Sequence, residues 1–253
     1  MASMFLPTLI GCFLFAGYGV LIDYYRRAWT AIPTFQPAAG EKKAGHTKIS
    51  VLVPARNEAA NIGDCIDSLS LQSYPKHLYQ VIVIDDHSTD GTADIVRQLS
   101  YPGLELSCLR LAEIGTGEGQ PVKAHKKFAI ETGIRAAGGE LIVTTDADCR
   151  FHPDWLMTLA AFYKEKGAKF IAAPVRIGGL PKGSAQAPGS APTPGSTATP
   201  RSAATSFLSI FQTLDFITLQ GITGAAVYRK FHSMCNGANL AYEKRAFYEV
   251  EGF

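Results

Sequence analysis

Leu141-Ile142-Val143-Thr144-Thr145-Asp146-Ala147-Asp148 is the stretch on which the fold turns. Three large apolar residues without a polar break read as a strand buried on both faces, and the run ends in two acids one residue apart. Along a strand, residues i and i+2 point to the same side, so Asp146 and Asp148 leave the carboxyl edge of the sheet together. That edge is where α/β proteins bind ligands. Two carboxylates in one place repel each other unless something positive lies between them, and a hard divalent cation carrying a diphosphate is the usual solution. An isolated Asp-x-Asp reads equally well as two surface acids in a solvated loop, so the surrounding pattern decides.

Working outward, two more strands end in the same manner. Val81-Ile82-Val83-Ile84 is an unbroken β-branched run closed by Asp85-Asp86-His87-Ser88-Thr89-Asp90-Gly91-Thr92, and Ile49–Val53 is stopped by Pro54 and followed by Ala55-Arg56-Asn57-Glu58. Ile62, Ile66 and Leu69 fall at helical spacing within a predicted helix over Glu58–Leu71. Further helices are expected over Thr92–Leu99, over Lys126–Ala137 closed by Gly138-Gly139, and after His152-Pro153, where Trp155, Leu156 and Leu159 face the core. Leu104–Leu109 and Phe170–Val175 read as strands. Alternating strands and helices predict an α/β fold with a mainly parallel sheet flanked by helices, right-handed crossovers and all acidic loops on one edge.

Composition narrows the function classes. At 253 residues, with 47% apolar and 18% charged residues, the chain can bury a full α/β core. A net charge of +2 arises from mixed signs without a basic run, which excludes a nucleic-acid partner and is compatible with a small polyanionic ligand. The five cysteines, Cys12, Cys65, Cys108, Cys149 and Cys235, are scattered and show no C-x-x-C spacing, so neither a disulfide framework nor a zinc site is expected and the compartment reads as reducing. Cys149, beside the acids, reads as a small filler at a strand end rather than a reactive thiol.

The N-terminus is of different material. Phe5–Ile22 is eighteen residues without a charge, about 27 Å as a helix and roughly the thickness of a hydrocarbon core. No basic residue precedes it, whereas Tyr24, Tyr25, Arg26, Arg27 and Trp29 follow as an interfacial belt. Residues 1–30 are therefore expected to be a single transmembrane anchor, with Met1 outside and the catalytic domain cytoplasmic. Residues 31–47, with Pro33, Pro37 and Gly40, read as a linker to a domain over 48–253. Within that domain, residues 181–206 are built almost wholly from Pro, Gly, Ser, Ala and Thr and are expected to be a disordered insertion. Phe207–Tyr228 is apolar but interrupted by Gln212, Asp215 and Gln220. It suits a helix at the membrane surface, or a core helix near an acceptor site, better than a second span.

The three strand-end motifs, Val53-Pro54-Ala55-Arg56-Asn57-Glu58, Val83–Thr92 and Thr145-Asp146-Ala147-Asp148, in this order and at these spacings, resemble a family 2 glycosyltransferase of GT-A (Rossmann-like) fold. The resemblance extends from about Lys48 to Phe253 and includes Asn236-Gly237-Ala238-Asn239-Leu240-Ala241-Tyr242, similar to a later glycine-containing loop at the sugar, and Gly252-Phe253, similar to a turn after the following helix. It implies transfer of a hexose from a nucleotide-diphosphate donor such as a UDP-sugar, with inversion, to a saccharide or lipid-linked acceptor, usually with Mg2+ or Mn2+. In relatives the general base lies beyond the turn that Gly252-Phe253 resembles. The resemblance therefore implies a base beyond Phe253 and a chain shortened at its C-terminus. Asp215 is not placed as the base.

Physical roles can be set beside that resemblance. Pro54, Ala55, Arg56, Asn57 and Glu58 leave the first strand with N–H groups and polar side chains able to hold a nucleotide, while Asn57 and Glu58 fit an N-cap and a first-turn acid equally well. Asp86 fits a base or ribose contact, and Asp85 either a ligand contact or a brace for its loop. Asp148 is the better metal ligand, with Asp146 at the ribose or in the metal shell and Ala147 between them. Lys127 or its neighbour Lys126, within Lys123-Ala124-His125-Lys126-Lys127, either reaches the diphosphate or begins a helix in solvent, and His125 reads as a surface or capping residue. Asn236 and Gly237 would meet the donor or acceptor sugar. Two other classes remain: a module that binds nucleotide sugar without turnover, and a nucleotidyltransferase. The latter would carry a G-x-G-x-R loop after the first strand, which Pro54-Ala55-Arg56-Asn57 is not.

Overall fold

The computed structural model describes residues 2–37, 46–114, 125–176, 207–231, 235 and 237–252. The expected insertion 181–206, part of the linker, Lys123, Asn236 and Phe253 lie outside the described residues. In chain order the elements are α1 (Ala2–Thr30), β1 (Ile49–Ala55), α2 (Ile62–Ser70), β2 (Tyr79–Asp85), α3 (Thr92–Gln98), β3 (Glu105–Arg110), α4 (Leu111–Ile114), α5 (His125–Ala136), β4 (Leu141–Thr145), α6 (Trp155–Lys166), β5 (Phe170–Ala172), α7 (Phe207–Tyr228), β6 (Asn239–Glu243) and α8 (Lys244–Glu249). They fall into two compact units, one of Met1–Ile32 with Val175–Met234 and one of Pro33–Pro174 with Cys235–Phe253.

The second unit holds a six-stranded sheet of order β3-β2-β1-β4-β6-β5. β1 pairs in parallel with β2 and β4, and β2 with β3, while β6 runs antiparallel to both β4 and β5. The strand residues alternate between two cores. Ile49, Val51, Val53, Val81, Val83, Leu141 and Val143 pack with Ile62, Ile66 and Leu69 of α2 and Leu156 and Leu159 of α6. Leu52, Ile82, Ile84 and Ile142 face the other way, onto Ala129 and Ile134 of α5 and Phe247 of α8. Each fully buried Leu or Ile of this kind contributes about 1.5–3 kcal/mol. Gly139 allows the chain to enter β4 close against β1, because a Cβ there would lie 2.6 Å from the Ile49 carbonyl carbon.

Several expectations are corrected. β1 does not stop at Pro54 but runs to Ala55: the Ala55 carbonyl accepts from Asp86 N at 2.8 Å, and Pro54 turns its missing donor to the side where the β1–β4 ladder has already ended at Leu52↔Thr144. α2 begins at Ile62 rather than Glu58, and residues 58–61 form a turn in which Asn61 N and Ile62 N both donate to the Glu58 carbonyl. The N-cap is Asn61, so Asn57 and Glu58 are not cap and first-turn acid. β5 is only three residues long, with Pro174 two residues beyond its end. Residues Asn239–Tyr242, expected to belong to a loop, form most of β6.

The first unit pairs α1 with α7. α1 is apolar and exposed from Phe5 to Ile22 and, among the described residues, is the helix long and apolar enough to cross a membrane. Among the described residues, α7 is exposed on most of its large apolar side chains and buried at Ala225 and Ala226, where it meets α1.

Candidate functional site

Parallel pairing in the order β2-β1-β4 brings the carboxyl ends of these three strands side by side. Between β1 and β4 the strand order reverses, the point at which open α/β sheets leave a crevice for ligands. The three sequence motifs all fall here.

The first two loops are tied to each other. Asn57 N donates to Ser88 Oγ at 2.9 Å, Glu58 N to Thr92 Oγ1 at 2.9 Å and Ala59 N to Asp90 Oδ2 at 2.9 Å. In return Thr89 N donates to the Asn57 side-chain oxygen at 2.9 Å. Asp90 also accepts from Thr92 N and Oγ1, at 3.1 and 2.5 Å. Gly91, at φ 87°, makes the turn into α3. The Thr92 hydroxyl, and after it the Ala59 N–H, hold the Asp90 carboxyl below the usual carboxylate range. The N–H groups of Asn57, Glu58 and Ala59 are thus already occupied; of the loop's charged side chains, Arg56 lies near Asp86 and Glu58 accepts from the Asn61 amide.

Asp86 sits where the loops meet, 7% exposed. Its Oδ1 lies 2.9 Å from His87 Nδ1 and 3.9 Å from His125 Nδ1, and its Oδ2 is 3.8 Å from Arg56 Nη1. His87 reaches this position through a left-handed φ of 59°. Asp85 is fully buried, and among the described residues neither carboxylate oxygen has a hydrogen-bond donor; Arg110 Nε on β3 stands 3.6 Å away. Arg110 is held from its other side by Glu113, which also meets Arg97.

The turn after β4 is built differently. β4 ends at Thr145, so Asp146, Ala147 and Asp148 belong to the turn that follows it and not to a continued strand; Ala147 is buried in the core, Asp146 is half-buried and Asp148 is exposed. Asp146 Oδ1 receives Lys126 Nζ at 2.6 Å, and Asp148 is exposed. Cys149 N closes the turn on Asp146 O at 3.2 Å, and Arg150 reaches Asp64 on α2. Burial pushes the Cys65 thiol, which packs in the core, up to about 12 and raises that of Cys149. Among the described residues no three His, Cys, Asp or Glu side chains gather as a ready cation cage. The donor set fits Mg2+ or Mn2+ held by one or two carboxylates together with ligand phosphate oxygens and water.

Pro54, Ala55, Arg56, Asn57, Glu58, Asp86, Asp146, Ala147 and Asp148 therefore share one sheet edge. Lys127 opens α5 one residue after Lys126, the lysine that pairs with Asp146. Gly237 accepts from Thr144 Oγ1 at 3.4 Å, and Trp155 Nε1 donates to Asn239 at 3.1 Å. Sequence reasoning missed Ser88, Asp90 and Thr92 as the tie to the first loop, and it missed Arg110 and His87. The Asp-Gly-Thr turn was the available signal for the tie, but its partners lie 31 to 34 residues upstream.

A family model described as glycosyl transferase family 2 matches residues 50–233. Glycosyltransferase AglE of Haloferax volcanii is 40% identical over 110 residues, covering 43% of this chain and 33% of that protein. The poly(ribitol-phosphate) beta-N-acetylglucosaminyltransferase TarS of Staphylococcus aureus is 32% identical over 118 residues, covering 47% and 19%. The chain thus spans about a third and about a fifth of the length of these relatives. Among solved structures, the mannosyltransferase PcManGT of Pyrobaculum calidifontis, in complex with GDP-Man and Mn2+, matches with a TM-score of 0.61 at 22% identity, over 94% of this chain and 56% of that one, a likeness of fold.

Proposed function

The chain belongs to glycosyl transferase family 2, and from that premise we propose that it binds a nucleotide-diphosphate sugar across the carboxyl edge of β2-β1-β4 and transfers the sugar, with inversion, to a saccharide or lipid-linked acceptor. The observation that carries the reading is the convergence of Asp86, Asp146 and Asp148 on that edge, the first nearly buried, the second half-buried and the third exposed.

The nucleoside end falls at Asp86. Its carboxylate can accept from ribose or base donors, with Arg56, His87 and His125 around it to hold its charge. The diphosphate end falls at the turn after β4. Lys126, now on Asp146, can swing onto a phosphate oxygen as a point charge, and Lys127 begins the same helix. Asp148, with Asp146 beside it, would hold a Mg2+ or Mn2+ ion, which when bound neutralises the leaving diphosphate. The chain's contribution is electrostatic and positional: two carboxylates and a lysine at the turn after β4 would define where charge develops as the sugar departs. Gly237, and Asn236 before it, lie in sequence where the sugar would be met.

For localisation, α1 would span the membrane once, with Arg26 and Arg27 keeping the sheet unit on the cytoplasmic side.

The test is ligand-observed NMR of the full chain with UDP-sugars and GDP-sugars. Saturable transfer from one of these donors is expected, with Asp86→Ala abolishing its nucleoside signals. Absence of binding by either class contradicts the reading.

A further inference from the structure

The acid at the nucleoside end of the site does not offer its two oxygens equally. A carboxylate only accepts hydrogen bonds, so His87 Nδ1, 2.9 Å from Asp86 Oδ1, carries a proton and donates it. The His125 ring stands beside the same oxygen, its Nδ1 3.9 Å away. Oδ2 is placed differently. Its charged neighbour is Arg56, whose Nη1 lies 3.8 Å off, beyond hydrogen-bond reach.

The loop holds this division in place. Asp86 N donates to Ala55 O at 2.8 Å, and Ser88 Oγ accepts from Asn57 N at 2.9 Å. Between them His87 takes a φ of 59°, a left-handed conformation that histidine and asparagine adopt more readily than most residues. The Asp86 carboxyl is thus fixed through its backbone and through one oxygen, and one acceptor is left over.

A single free acceptor discriminates between bases. Guanine presents two adjacent donors, N1–H and the 2-amino group, and a carboxylate matches them by accepting with both oxygens. Here Oδ1 is already engaged, so the amino group would meet imidazole and guanidinium donors and lose its partner. Uracil presents one donor, N3–H, between two carbonyl oxygens. That edge suits one acceptor with donors around it: N3–H meets Oδ2, and a carbonyl can face Arg56.

We propose that His87 sets the choice of base: by engaging Asp86 Oδ1 it leaves Oδ2 as the acceptor for N3–H of a uridine diphosphate and denies guanine its paired contact. His87 is a positioning residue that acts through Asp86, and its role rests on the reading of Asp86 as the nucleoside contact.

The experiment is calorimetric titration of the full chain with UDP and with GDP in Mn2+, for the wild type, His87→Gly and His87→Asn. Glycine keeps the left-handed backbone and removes the donor, whereas asparagine tolerates the same φ and places its amide nitrogen where Nδ1 stands, one bond beyond Cγ. The wild type is expected to bind UDP at least about tenfold more tightly than GDP. His87→Gly should narrow that ratio severalfold and His87→Asn should keep it. Should His87→Gly not fold, His87→Asp, which also adopts this φ and supplies no donor, is expected to narrow the ratio in its place. Loosening of the loop alone would weaken both nucleotides together, so an unchanged ratio in the donor-free variant overturns the proposal. A wild type that binds GDP as tightly as UDP does the same, as does an asparagine variant that behaves like the donor-free one; in each case the donor site itself stands. Binding of neither nucleotide by the wild type contradicts the donor site and the proposal with it.

Discussion

The loops after β1 and β2 and the turn after β4 stand on the same sheet edge but are held in opposite ways. The first two are tied by hydrogen bonds between segments some thirty residues apart, with the N–H groups of Asn57, Glu58 and Ala59 all engaged by Ser88, Thr92 and Asp90. The turn after β4 keeps one acid on a single exposed lysine and the other open to solvent. The difference separates what is built before a ligand arrives from what awaits it. On the proposed reading, the surroundings of Asp86 are preorganised, so little ordering cost would fall on nucleoside binding, whereas Asp148 would gain its partners from the ligand and Asp146 would exchange Lys126 for them.

The largest expected effect lies beneath the tied loops. Arg110→Met leaves the fully buried Asp85 carboxylate without its cation and should cost about 3–5 kcal/mol in urea unfolding. Adding Asp85→Asn should restore much of that loss. An unchanged midpoint in the single variant would show that the order of the β2 loop does not depend on this pair.

Next comes the looser side. Lys126→Ala should weaken UDP binding about tenfold, ~1.4 kcal/mol. Its effect on stability should stay under ~1 kcal/mol, because the pair with Asp146 is exposed. A variant that unfolds easily but binds normally would invert the contrast.

Asn57→Gly keeps the left-handed backbone available and removes the side-chain oxygen that accepts from Thr89 N and, more distantly, from the Thr89 hydroxyl. About 1 kcal/mol of stability should be lost, visible as faster hydrogen exchange at the Thr89 amide. Equal exchange in both proteins would mean that the tie does not order the loop.

The smallest effect is on acid sensitivity. Asp90 has its carboxyl held below the ordinary 3.8 by the Thr92 hydroxyl and then the Ala59 N–H. A carboxylate with a depressed folded value stabilises fully above its unfolded value and loses that contribution as pH falls through the folded one. Protection of the Ala59 amide should therefore persist through pH 4 and fall below it. Asp90→Asn should flatten that dependence, and a wild-type profile that is itself flat would contradict the tie.

Much of this edge was legible in the sequence because each strand announces itself as an unbroken apolar run that ends in charge. Val81–Ile84 and Leu141–Val143 have no amphipathic alternation, which is what burial between two helical layers demands. Asp146 and Asp148 could be placed at the carboxyl end of β4 from the sequence, but not by strand spacing, because the strand ends at Thr145 and both lie in or beside the turn. What escaped depended on partners distant in sequence. Nothing local indicates that the N–H groups of residues 57–59 would serve loop 88–92 instead of starting a helix. The same limit hid Arg110 behind Asp85. The antiparallel β6 escaped because Asn239–Glu243 is a short run of mixed polarity, and its pairing with β4 supplies the order that its own pattern lacks.

The central claim is that the turn after β4 is the cation-assisted diphosphate end of a donor site, with Asp148 as its principal ligand. Calorimetry of UDP binding to the full chain and to Asp148→Asn, each with and without Mn2+, tests it most directly. The account predicts that Mn2+ tightens UDP binding to the wild-type chain by at least about tenfold and has little effect on the variant, a difference of ~1.4 kcal/mol or more. Equal affinities for both proteins, with and without Mn2+, would contradict it.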